Sequence, residues 1–211
     1  MPTSRTYGDA CGIARALDVV GERWALLVVR ELFLGPQRYS DLRRALPGAS
    51  SNLLADRLRE LEGRGVIDRR LLPAPAASHV YELTAWGAKL EPIVLALGGW
   101  GLEVPIPQDA TLSATSVLLH LRGAARPDPA TPAARYRIAM GDRVWTARTR
   151  RGRVEIDPGE PGDPVAGLST DPQTLNAILA DPSRLDTANA RVTGDRGALT
   201  SLLRSVSAPA R

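Results

Sequence analysis

The chain has 211 residues, 44% hydrophobic and 24% charged, a balance that fits a soluble globular protein of one large domain or two small ones. No apolar run approaches the roughly 20 residues of a bilayer-spanning helix, and the opening MPTSRTYGD has no signal-type apolar stretch, so no membrane partner and a cytoplasmic location are expected. The lone cysteine, Cys11, excludes an intramolecular disulfide framework, and a net charge of +4 with a single lysine, Lys89, among 27 basic residues leans toward an acidic partner without identifying one.

Along the first hundred residues the apolar positions recur at helical spacing. Ile13, Ala16, Leu17 and Val20, then Trp24, Leu27, Val28 and Leu32, predict two packed helices broken near Gly21. A short helix is expected over 39–46, starting near Ser40 and Asp41 and ended by Pro47 and Gly48. Ser50 is a good N-cap for a longer helix to about Gly63, whose apolar stripe is Leu53, Leu54, Leu58 and Leu61. The β-branched and apolar stretches 66–72 and 79–84, joined by a Pro- and Ala-rich tip over 73–77, predict an antiparallel hairpin. Helix returns over 85–100, with Pro92 kinking it or lying in its first turn, and Gly98, Gly99 and Gly101 stopping it.

Proline and glycine concentrate over 104–111, which reads as a linker. A helix over about 112–121 then leads into three strands in a meander, 136–140, 144–149 and 154–156, turned at Gly141-Asp142 and Arg151-Gly152. Further strands are expected near 165–168 and 190–193, and helices over 171–179 and 197–206 with Asp171 and Asp195 near their caps. The fold class is therefore α+β: an N-terminal winged helix-turn-helix over 5–104, followed over 109–211 by an α+β domain with a small, mostly antiparallel sheet and packed helices.

The segments 11–24 (CGIARALDVVGERW), 30–32 (REL), 39–42 (YSDL), 49–61 (ASSNLLADRLREL), 65–69 (GVIDR) and 81–87 (YELTAWG) resemble, in order, the motifs of HxlR-type transcription regulators, a branch of the MarR-like winged-helix proteins. Glu22 stands where a glycine is more usual, and the wing lacks the usual basic residue among its prolines. The resemblance implies double-stranded DNA as partner and a homodimer built through the first and last helices of the domain. It also implies that Cys11, at the start of the first helix, is either a thiol switch for oxidants or electrophiles or a small apolar residue in the dimer contact.

The residues agree independently. With Leu54, Leu58 and Leu61 inward, a 3.6-residue repeat turns Asn52, Asp56 and Arg59 outward, and Ser50 and Ser51 offer hydroxyls and free N–H groups at the helix start. Asparagine can bond adenine bidentately, and serines and helix N-termini hold phosphates. Arg38, Arg69 and Arg70 are placed on backbone phosphates. Arg57 lies beside the apolar stripe, where it either reaches DNA or pairs with an acid of a neighbouring helix. From residue 38 to 70 eight arginines face five acids, which concentrates positive charge where the motif needs it.

The C-terminal half resembles a sterol-carrier-protein-like domain in its order of elements and in Thr193-Gly-Asp before the last helix. That resemblance implies a pocket for a small apolar effector, lined by Tyr136 and Trp145, and the alternative is a packed module that only extends the dimer. A rival for the whole chain is an apolar-ligand carrier whose winged helix serves assembly. With only His79 and His120 as imidazoles and no nucleophile elbow, zinc-helix or phosphate-loop motif, no enzyme, metal or cofactor is expected.

Overall fold

In the computed structural model, residues 6–73, 78–108 and 110–206 are described. The chain divides into two compact units, Met1–Pro107 and Gln108–Arg211. The hairpin tip expected over 73–77 lies, from 74 on, outside the described residues, as do the domain bounds set at 5, 109 and 211.

The first unit contains α1 (Gly12–Val20), α2 (Ala25–Leu32), β1 (Gln37–Arg38), α3 (Tyr39–Ala45), α4 (Ser51–Gly63), β2 (Ile67–Leu71), β3 (His79–Leu83) and α5 (Glu91–Gly101). Trp24 separates α1 from α2 in a left-handed conformation with φ of 77°. Its ring closes over Gly48, where a Cβ would lie 2.8 Å from the indole. Leu42 of α3, Leu54, Leu58 and Leu61 of α4, and Val28 of α2 are fully buried together. Each buried leucine contributes about 2–3 kcal/mol of apolar transfer, so this core fixes the angle at which α4 leaves the turn.

The expected hairpin is present, with β2 antiparallel to β3 and Ile67 opposite Leu83. It carries a strand the sequence did not suggest: β1 pairs with the other side of β3, placing Gln37 opposite Tyr81. A single 3-10 turn over Gly87–Leu90 joins the hairpin to α5, and Pro92 falls in the first turn of that helix, where its missing N–H costs nothing. The joint is tight. Thr84 Oγ1 donates to the Gly65 carbonyl at 2.8 Å and accepts the Gly87 N–H at 3.0 Å. A Cβ on Gly87 would meet the Val66 carbonyl oxygen at 2.0 Å. Of the glycines expected to stop the last helix, Gly98 and Gly99 lie inside α5, and the helix ends at Gly101. Helix propensity is a weak preference, and an uninterrupted i to i−4 ladder overrides it here.

The second unit contains α6 (Ala114–Ala124), β4 (Ala134–Met140), β5 (Arg143–Arg150), β6 (Arg153–Pro158), β7 (Ala166–Thr170), α7 (Pro172–Ala180), β8 (Arg191–Gly194) and α8 (Arg196–Arg204). Its sheet runs β6-β5-β4-β7-β8, with every pairing antiparallel except β4 with β7. Ser113, Asp171 and Asp195 cap α6, α7 and α8 by accepting N–H bonds at 3.1, 2.9 and 2.9 Å. One face of the sheet, with Ile138, Trp145, Ala147, Ile156 and Leu168, is buried with the apolar sides of these helices. The α+β class and a mostly antiparallel sheet are as the sequence predicted; the parallel pairing of β4 with β7 is not.

Candidate nucleic-acid interface

The surface at the start of α4 is assembled from two helices. Ser50 caps α4 by accepting the Leu53 N–H at 3.3 Å, and Ser51 and Asn52 stand exposed in the first turn. From α3, Tyr39 Oη donates to the Ser51 carbonyl at 2.9 Å. One turn further on, Arg43 Nε donates to Ser51 Oγ at 3.2 Å, and the same guanidinium reaches the Pro47 carbonyl at 3.4 Å. Arg43 was not singled out in the sequence. Its spacing of four from Tyr39 puts both on one side of α3, which is the signal that could have found it. Together they hold the free N–H groups of α4 toward solvent, an arrangement that attracts phosphate and lets short polar side chains meet base edges.

The remaining sequence-predicted residues divide by their partners. Arg59 is exposed and paired with Asp56 on the next turn back, so both lie on the outer face of α4. Arg38 and Arg69 are exposed, at the start of α3 and on β2. The Arg38 N–H donates to the Asp41 carboxylate at 3.3 Å, and α3 starts at Tyr39, the first residue of the expected range. Arg70 forks onto Glu82 across the hairpin at 2.8 and 2.9 Å, and this pairing holds the Glu82 carboxyl below its ordinary range. Asp68 and Glu82 sit directly opposite each other, so Arg70 neutralises a like-charge pair as well.

Arg57 does not belong to the surface. Its side chain is 9% exposed and is paired with Glu60 on its own helix and with Glu22, 3.7 Å away, from the α1–α2 turn. Of its two sequence readings, the ion pair is the one the structure contains. The Glu22 that departs from the resembled motif is the residue that receives it.

Cys11 is exposed and occupies the N-cap of α1, where Sγ accepts the Ala14 N–H at 3.3 Å. It is not a buried apolar residue of this protomer. In the second unit, Tyr136 and Trp145 are packed into the interior, Trp145 without exposed surface and with the Arg143 guanidinium 4.6 Å from its ring. Both belong to the buried core of this unit. Among the described residues, no cluster of three or more His, Cys, Asp and Glu could hold a metal ion, and no helix is long and apolar enough to cross a membrane.

Residues 19–108 match the HxlR-like helix-turn-helix family. An uncharacterized HTH-type transcriptional regulator of Synechocystis sp. is 40% identical over 96 residues, covering 46% of this chain and 71% of that protein. The uncharacterized HTH-type transcriptional regulator YvaP of Bacillus subtilis is 38% identical over 89 residues, covering 42% of this chain and 82% of that protein. Among solved structures, the reduced form of the transcriptional regulator YodB from B. subtilis is 29% identical, covering 48% of this chain and all of that one, with a TM-score of 0.41. The ordered motifs, the helix-turn-helix with its hairpin and the Synechocystis and YvaP relatives lead to one conclusion: through its N-terminal half, the chain belongs to the HxlR-like helix-turn-helix family of DNA-binding transcriptional regulators.

Proposed function

We propose that the protein works as a homodimer that reads a specific duplex sequence by placing the start of α4 in the major groove, with Asn52 on a base edge and Ser50 and Ser51 on the flanking backbone. The observation that carries this reading is the split character of α4: its leucine face is fully buried while Ser51 and Asn52 are exposed and held in place from α3 by Tyr39 and Arg43. Arg38, Arg59, Arg69 and Arg70 supply phosphate contacts. Arg59 and Arg70 exchange a carboxylate for a phosphate in doing so, whereas Arg38 and Arg69 have no ion pair to give up among the described residues.

The dimer rests on α5. From Pro92 to Leu102 this helix has no charged residue, none of its side chains is buried, and Ile93 and Trp100 are 60% and 70% exposed. An all-apolar helix without cover is an association surface. Ile13 and Leu17 present a second exposed apolar stripe on α1. A pair of recognition helices then meets successive major grooves, and a signal that alters the pair's geometry alters occupancy. Cys11 is the input we retain, because an adduct on its exposed Sγ removes the cap of α1. The sterol-carrier-like reading of the second unit, with an apolar effector, rests on element order and on Thr193-Gly-Asp before the last helix, and the carrier reading of the whole chain has no observation in its favour.

The test is selection of genomic fragments by the purified protein, followed by gel-shift titration on a selected site. Asn52→Ala should weaken binding by about 1–3 kcal/mol and relax preference at one base pair. Equal binding of wild type and variant on selected and random DNA would remove α4 as the reading helix.

A further inference from the structure

The open end of α6 faces a cleft of about 690 Å³ in the second unit. One wall is the chain leaving the helix, through Pro127 and Pro129, and the other is the β5–β6 turn. The walls touch at Gly152, which has φ of 74° and where a Cβ would lie 3.0 Å from the Pro129 ring. A side chain there would be strained by the left-handed backbone and would press on Pro129, so glycine lets the turn lie close against the proline segment.

Four arginines line it: Arg122, Arg126, Arg151 and Arg153. Against them stand two carboxylates with other engagements. Asp128 accepts the Ala130 N–H at 2.8 Å, and Glu155 lies 3.7 Å from Arg148. Arg126 is fixed by donating to the Gly123 and Ala125 carbonyls at 2.6 and 2.8 Å, which also covers the negative end of α6 that would otherwise repel an anion. Arg122 is partly desolvated, so that burial lowers its pKa and only Asp157 opposes the shift. Arg151 and Arg153 are exposed and carry no carboxylate partner among the described residues. Arg151 also holds φ of 50°, a left-handed conformation that asparagine or glycine would take at lower cost. A cationic side chain is therefore kept at the cleft mouth where local geometry favours another residue.

We propose that this cleft is a binding site for a small organic polyanion, one carrying two or more phosphate or carboxylate groups. The shared chemistry is the planar guanidinium fork, which matches either group bidentately. Its concavity, and a volume inside the range of small-molecule sites, fit a compact ligand and not the convex backbone of a duplex. The site is independent of the DNA-reading surface assigned to the first unit.

The test uses the full chain and titration calorimetry at low ionic strength, with pyrophosphate as the phosphate probe and citrate as the carboxylate probe. At least one of them should bind more tightly than about 1 mM. The double variant Arg151→Asn, Arg153→Ser changes two exposed side chains on a turn that asparagine suits, and it should weaken that binding at least about tenfold. Arg69→Ser, in the first unit, should leave it unchanged, so that failure of the DNA reading and failure of this one are told apart. Absence of heat with both probes would overturn the assignment, and so would equal binding by the double variant. Loss of random-duplex affinity in the double variant, with neither probe bound by wild type, would overturn it in favour of a DNA-backbone contact.

Discussion

Arg57→Ala separates a residue that shapes the recognition helix from one that touches DNA. Removing a partner from a fully buried ion pair costs about 3–5 kcal/mol, because the remaining charge is stranded, whereas exposed pairs contribute about 0–1 kcal/mol. Arg57 lies between these limits. Its own side chain is 9% exposed, but Glu60 and Glu22 are 40% and 58% exposed and would rehydrate once it is gone. The loss then comes mainly from packing of the buried stem and from repulsion between the two freed carboxylates, about 1–3 kcal/mol. Urea unfolding should show a lower midpoint at unchanged slope. In gel shifts at several salt concentrations, the folded variant should keep both its operator affinity and the slope of log affinity against log salt. A slope smaller by about one, with unchanged stability, would mean that Arg57 neutralises a phosphate and that its pairing with Glu22 and Glu60 is given up on DNA.

Three further outcomes follow from single contacts. Cys11→Ser should keep operator affinity, since serine caps a helix at least as well as cysteine, and a quinone or diamide should release wild type but not the variant; equal responses would remove Cys11 as an input. Thr115→Val should stabilise the second unit by about 1 kcal/mol in thermal unfolding, because the buried Thr115 hydroxyl has no hydrogen-bond partner among the described residues and valine has nearly its shape; a loss of stability would show that the hydroxyl is satisfied in solution. Asp171 is held below the ordinary carboxylate range by the Thr174 hydroxyl and by backbone N–H groups, so its contribution is present above the unfolded-state pKa and lost as pH falls through the folded one. Asp171→Asn keeps a capping acceptor that does not titrate, and should lose less stability than wild type between about pH 6 and pH 3; parallel losses would assign the acid sensitivity elsewhere.

Local chemistry made much of the fold legible. The Ser50 cap ahead of a leucine stripe, the β-branched runs flanking a Pro- and Ala-rich tip, and the aspartates before α7 and α8 each announce an element within a few residues. What stayed hidden depends on distant partners. Two-residue β1 has no periodicity of its own and exists because Tyr81 and Val80 offer an open strand edge. The parallel pairing of β4 with β7 leaves no trace in either strand. At the proposed recognition surface, the exposure of Asn52 and Ser51 could be read from helical phase alone. Arg57, at the margin of the apolar stripe, could not, because its fate was set by Glu22 across the fold.

The knot formed by Thr84, Gly87 and the Val66 carbonyl has a mechanical meaning. With a hydroxyl bridging two backbone segments and no room for even a methyl group, the base of the wing and the start of α5 have no slack between them. The eleven residues of α5, at a rise of about 1.5 Å each, form an arm of roughly 16 Å, so a tilt of about 10° at its root displaces its far end by roughly 3 Å. The relation runs both ways: leverage applied along that arm is delivered, through one short 3-10 turn, to the base of the hairpin.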